Sequence, residues 1–233
     1  METLDMKPLS ESKNIPFTEC EMAFSFKKIL GRKLILPGIE SFSRIVEEKN
    51  CYQGRPDFIA LSQQKSKAKL SIPKNLVTVS CEILSVLKPV SSRSIPYLMK
   101  YTRGSELLLR KTLCLLEDNN LVKKANAETY VLGDVFSSQN NELTVFELKL
   151  RGHRKAVFQA QQSKNYACRS LIVVPPGQTR CYDKYSVLMN RWGIGLAAFD
   201  PVTGNFNVVR KARKTKPLSN YDYMNTLLRI LCD

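Results

Sequence analysis

The 233 residues suffice for one large domain or two small ones, and a hydrophobic content of 43% supplies a sizeable core, which excludes wholesale disorder. No run of about 18 apolar residues is present to form a transmembrane helix, and Glu2, Asp5 and Glu11 precede any apolar stretch, unlike a secretory signal. Thirty-six Lys and Arg against 21 Asp and Glu leave a charge of +15; this favours a polyanion through counterion release, with nucleic acid expected ahead of acidic lipid or mere solubility.

Residues 1–16 are polar, end at Ile15-Pro16 and form a flexible lead-in. From Thr18 to Leu30 the spacing predicts a helix, with Met22, Phe26, Ile29 and Leu30 on one side and Gly31 to end it. Strands are predicted over Ser41–Val46 and Asp57–Leu61, joined by a turn around Asn50–Gly54. Ser62–Pro73, with Lys65, Lys67 and Lys69, is polar and predicted to be a linker.

The next unit spans 73–134 and is expected to fold around its own apolar set. Leu76–Leu87 is an amphipathic segment stopped by Lys88-Pro89, and Ser91 or Ser92 can cap a short helix to Tyr101. After the turn Thr102-Arg103-Gly104, Ser105 can cap a longer helix to Asp118 carrying Leu108, Leu109, Leu113 and Leu116. Leu121–Lys124 and Thr129–Leu132 alternate like a hairpin around Asn126-Ala127. This order resembles the winged helix-turn-helix family. The resemblance implies DNA docking by the helix Ser105–Asp118, with protein contact as the alternative use. Arg103, Ser105, Arg110 and Lys111 are then expected at the duplex, with Lys123 and Lys124 on the wing.

An α/β rhythm follows. Strands are predicted over Thr144–Leu150, Ser170–Val174, Ile194–Phe199 and Phe206–Val209, with helices over Lys155–Ala167, Tyr182–Trp192 and Asp222–Leu231. Such alternation on both sides of 73–134 predicts one mixed sheet flanked by helices, built from 17–72 and 135–233.

Seven scattered cysteines give neither a disulfide framework nor zinc spacing and point to a reducing interior. A single histidine, His153, makes a Ser-His-Asp triad improbable and suits a loop or phosphate contact better than a general base. Two acid-bearing segments stand out. Gly54-Arg55-Pro56-Asp57 opens one strand, and Glu147-Leu148-Lys149 lies in another. Strand alternation puts Val145, Glu147 and Lys149 on one face, the last two about 7 Å apart. A carboxylate and an amine on an apolar strand are costly to bury unless they bind something. On the helix that follows, Gln159, Gln162 and Tyr166 line one stripe beside Ala156, Ala160, Ser163 and Ala167. The basic run Arg210–Lys216 is either a solvated strand tail or a phosphate contact.

Pro56-Asp57, then Glu147-x-Lys149, then Gln162-x-x-x-Tyr166 resembles the PD-(D/E)XK nuclease superfamily, the restriction-endonuclease-like fold, over 17–61 and 141–210. The resemblance implies that Asp57 and Glu147 hold a divalent metal, Mg²⁺ or in its place Mn²⁺, and that Lys149 positions the attacking water. Gln162 and Tyr166 resemble the supporting element of some branches. The family often adds an acid on its first helix; Glu19 falls on the side facing the sheet and Glu21 on the outer side, so Glu19 is the choice. Asp57 and Glu147 are 90 positions apart, and the 73–134 unit fills nearly all of that gap.

The expected protein is an intracellular, cytoplasmic or nucleoid-associated Mg²⁺-dependent DNA endonuclease. Its α/β core would cut and its winged-helix insert would hold double-stranded DNA, in a monomer or a homodimer. The alternatives are a non-catalytic winged-helix DNA-binding regulator and an interaction subunit of a larger nuclease or transposition complex.

Overall fold

The computed structural model describes residues 17–31, 42–47, 51, 54–62, 70–137 and 141–232. The expected lead-in at 1–16, together with Ser41, Asn50 and positions 63–69 of the expected linker, lies outside the described residues.

Helix α1 (Glu19–Gly31) starts where Thr18 and Glu21 exchange hydrogen bonds, the Thr18 hydroxyl accepting from the Glu21 N–H and the Glu21 carboxylate accepting from the Thr18 N–H. Strands β1 (Arg44–Glu47) and β2 (Phe58–Ser62) pair antiparallel. A 3₁₀ turn leads into α2 (Val77–Val86). Then come β3 (Arg93–Ser94), α3 (Ile95–Met99), α4 (Glu106–Asp118), β4 (Val122–Asn126), β5 (Thr129–Leu132) and α5 (Asp134–Ser137). The last third supplies β6 (Glu142–Leu148), α6 (His153–Gln162), β7 (Arg169–Val174), α7 (Ser186–Trp192), β8 (Gly195–Phe199), β9 (Phe206–Arg210) and α8 (Asn220–Cys232).

The main sheet is mixed, with strand order β1-β2-β6-β7-β8-β9. Its centre, β6-β7-β8, is parallel, joined by crossovers through α6 and α7, and antiparallel strands close both edges. The chain is therefore an α/β protein with a helix-flanked mixed sheet. Among the described residues no helix is long and apolar enough to cross a membrane.

Alternation decides what each sheet face holds. Phe58, Phe146 and Phe199 point to the side covered by α1, where the Phe26 ring meets all three edge-on at centroid distances of 5.3–5.6 Å. Ile59, Leu61, Leu143 and Val145 point to the other side. There they join one continuous apolar cluster with α2, α4 and α8.

That continuity corrects one expectation. The 73–134 unit does not pack around an apolar set of its own: Ile83 and Leu84 of α2 share their cluster with Leu227 and Leu228 of α8. The expected linker also contributes, because Leu70 and Ile72 are buried and the Leu70 N–H donates to the Leu231 carbonyl. Local limits shift as well. Ser94, rather than Ser91 or Ser92, caps α3, since β3 occupies the intervening residues as a third strand beside the hairpin. Ser105 caps α4 as expected, its hydroxyl accepting from the Leu108 N–H at 3.3 Å. Pro176–Tyr185 winds as a 3₁₀ helix, so only Ser186–Trp192 of the expected Tyr182–Trp192 helix is α-helical.

A shared core predicts shared unfolding. Leu228→Ala should cost about 2–5 kcal/mol. Urea curves followed by circular dichroism and by fluorescence of Trp192, the single tryptophan, should move together. Two separated transitions would show that the middle unit is independent.

Candidate active site

The site forms where the central antiparallel pair ends. Phe58 faces Phe146 across β2 and β6, so the next opposed positions are Asp57 and Glu147. Directly opposed residues project to the same side, which places the two carboxylates next to each other although 90 residues separate them in the chain. They stand at the carboxyl end of β6, the side of a parallel sheet where ligands ordinarily bind.

Lys149 lies between them. Its ammonium is 3.4 Å from Asp57 Oδ2 and 3.8 Å from Glu147 Oε2, the second distance being an ion pair too long for a hydrogen bond. Asp57 Oδ2 also accepts the Leu148 N–H at 2.7 Å, and the Lys149 N–H donates to the Val173 carbonyl, which fixes the backbone as it leaves β6. Glu19, at the start of α1, reaches the same place: its Oε1 accepts the Leu150 N–H at 3.1 Å. Glu21 caps its own helix instead, so Glu19 is the helix-1 acid that the fold brings to the strand end.

Glu147 is 2% exposed, and its Oε2 has no hydrogen-bond partner. Burial, and then the charge of Asp57, push its carboxyl up to about 8, with partial relief from Lys149. Burial raises Asp57 as well, opposed by Lys149 and the Leu148 N–H. Two carboxylates, one with an orphaned oxygen, suit a hard divalent ion such as Mg²⁺, which takes one or two carboxylates and keeps several waters. Among the described residues no three His, Cys, Asp or Glu side chains stand close enough to enclose a metal, so the other ligands would be waters or phosphate.

The Gln/Tyr stripe is only partly assembled. The α-helix ends at Gln162, and a 3₁₀ turn over Ser163–Asn165 carries the chain to Tyr166. Tyr166 is buried, its hydroxyl donating to Ser163 Oγ at 3.4 Å. Burial first, then Cys51 and Glu147, raise its phenol. Gln159 Oε1 is buried without a partner, while Gln162 is half-exposed.

The expected duplex contacts in the middle unit are largely engaged with acids. Arg110 lies 2.7 Å from Glu106 and 3.2 Å from Glu128. Lys123 pairs with Asp134, and Arg103 lies 3.7 Å from Glu82. Lys111 and Lys124 are exposed. Phosphate contact by Arg110 or Lys123 would have to displace these partners, a competition that residue spacing alone does not reveal.

Sequence reasoning also missed an aromatic group beside the site. His153 begins α6 rather than lying in a loop, and its ring meets Tyr182 edge-on at 5.1 Å. Tyr182 is buried with its hydroxyl unpartnered, and Tyr185 lies 6.3 Å from it. Only the Tyr-x-x-Tyr spacing signalled this group. No protein-family model, curated protein or solved structure significantly matches the chain.

The raised Glu147 carboxyl fixes a pH dependence. In the folded state it holds its proton up to about 8, against an ordinary 4.5, so without metal stability is full below 4.5 and is lost as pH rises through about 8. Glu147→Gln should flatten that loss, on the order of a few kcal/mol, in thermal melts across this window with EDTA present. Parallel pH profiles for parent and variant would show that Glu147 is ionised throughout.

Proposed function

We propose that this chain is a divalent-metal-dependent DNA endonuclease of restriction-endonuclease-like fold, its 73–134 unit acting as a winged helix that positions the duplex. The observation that carries this reading is Asp57 opposite Glu147 at the end of the central strand pair, with Lys149 between them. Asp57 and Glu147 would hold Mg²⁺ or Mn²⁺, which when bound neutralises phosphate charge and lowers the pKa of a coordinated water. Glu147 must release its proton first, so affinity for the ion should rise with pH toward about 8. Lys149 orients the attacking water and offsets negative charge growing on the phosphate. Glu19 positions rather than reacts: it holds the Leu150 N–H and so fixes the loop that follows Lys149.

A second reading, an interaction subunit of a larger nuclease or transposition complex, is favoured by the ion pairs at Arg110, Lys123 and Arg103. They leave the outward face of α4, with Glu106, Glu117 and Asp118 beside Arg110 and Lys111, no excess of positive charge.

A nicking assay on supercoiled plasmid decides between them. With Mg²⁺ or Mn²⁺ the parent should relax the plasmid, and Asp57→Ala and Lys149→Ala should each lose at least about a hundredfold in rate, with DNA retention on a filter little changed. Metal-dependent nicking that survives both substitutions removes the assignment. Retained DNA binding with no nicking under either metal favours the interaction subunit.

A further inference from the structure

A cleft of about 610 Å³ is lined by Gly152, His153, Arg154, Lys155, Phe158 and Tyr185, which follow the strand bearing Glu147 in the chain. Its size falls among small-ligand sites, which run from about 300 to 1,000 Å³. The walls divide into cations and rings. Arg154 and Lys155 are exposed on the first turn of α6, and Phe158, one turn further along, is 56% exposed while its neighbours Ala156, Val157 and Ala160 are buried. The core of α6 is therefore complete without the Phe158 ring. Tyr185 is half-exposed, with the Lys184 ammonium 5.2 Å from its ring centroid.

The helix end adds an anion site. Gly152 precedes α6 at φ 73°, a left-handed conformation in which a side chain is strained, and no side chain caps the helix. The first-turn N–H groups thus meet no side-chain cap, and the helix dipole favours an anion there. His153 Nε2, on a residue of the cleft wall, is buried without a partner, and so is the hydroxyl of Tyr182, whose ring meets that of His153 at 5.1 Å.

Charge points the same way. Residues 135–233 hold 15 Lys and Arg against 6 Asp and Glu, whereas 73–134 hold 9 against 6. The cleft also adjoins the carboxylates in sequence and in space. Leu150, whose N–H Glu19 holds, is two residues before Gly152, and Lys155 acts on the ionisation of Glu147.

We propose that this cleft binds one unpaired nucleotide of a DNA strand beside the scissile phosphate, its phosphate on the α6 N-terminus with Arg154 and Lys155 and its base stacked on Phe158 and Tyr185. The role beside the cut rests on the nuclease reading; the nucleotide site does not. A base inside a duplex has both faces covered by its neighbours, so a ring can stack only on a base that has left the helix. The substrate class is therefore DNA with an opened strand: a single strand, a frayed end or a junction.

The test is fluorescence anisotropy in EDTA with the full chain, using a labelled thymidine oligonucleotide and an abasic oligonucleotide of equal length. Both probes have the same phosphates, so their difference isolates base stacking. The parent should bind the thymidine probe roughly tenfold more tightly. Phe158→Ala with Tyr185→Ala should erase the difference, and Phe158→Trp with Tyr185→Trp should restore it, which separates stacking from damage to the fold. Equal affinity of the parent for both probes overturns the proposal, as does a preference that persists in the double alanine variant. The readout needs neither metal nor cleavage, so it stands apart from the nicking assay. A chain that never nicks plasmid but shows this pattern loses the nuclease reading alone.

Discussion

Two carboxylates held side by side at a strand end, with one ammonium between them, set the terms for the rest of the site. Bringing Asp57 and Glu147 together is electrostatically unfavourable, and burial of Glu147 adds to the cost. Lys149 and the Leu148 N–H offset it on Asp57 Oδ2, while Glu147 Oε2 is left with a distant ion pair. Such an arrangement persists only if the backbone cannot yield. Three features hold it: Phe26 wedged against Phe58, Phe146 and Phe199 beneath the strands, Lys149 tied to Val173, and Glu19 tied to Leu150. Below about pH 8 the proton that Glu147 keeps relieves the repulsion, while the packed α1 face holds the two strands in register.

The local parts of this arrangement were legible in the sequence because strand periodicity and helix spacing are local. Thr144–Leu150 gives Glu147 and Lys149 a common face; the actual strand, displaced by two residues, ends at Leu148 and leaves Lys149 just outside it, yet the ammonium stays 3.8 Å from Glu147. Helix 1 exposed the choice between Glu19 and Glu21, and the Thr18-x-x-Glu21 spacing of a capping box already held a second reason to set Glu21 aside. The opposition of Asp57 to Glu147 was not legible from spacing, because register across a 90-residue gap depends on which strands pair, and only the family resemblance proposed it. Ion pairs such as Arg110 with Glu128 escaped for the same reason: the hairpin had to fold before the two could meet.

The middle unit shows where pattern reading overreaches. Its helices and hairpin follow local signals closely, yet its core is not local. The inner side of α2 is apolar enough to serve a small independent bundle or a larger joint core, and amphipathicity cannot distinguish the two. What decides is α8, from the far end of the chain, which supplies Leu227, Leu228 and Leu231 to the same cluster. Tyr223 adds a hydrogen bond to the Asn141 carbonyl just before β6. The C-terminal helix thereby joins the middle unit to the strand that carries Glu147.

Charge placement completes the physical picture. A net +15 drew attention to the helix α4, where a winged helix would meet the groove. Yet the positive excess lies mainly in 135–233, around α6, the 3₁₀ helix and the tail of β9. Charge of one sign beside clustered carboxylates is self-consistent: the cations attract a polyanion, and the carboxylates repel it unless an ion lies between. On the proposed reading, metal and strand therefore favour each other's binding, since each neutralises what opposes the other. Each would raise the affinity for the other by the same factor, a reciprocity that any binding equilibrium must obey.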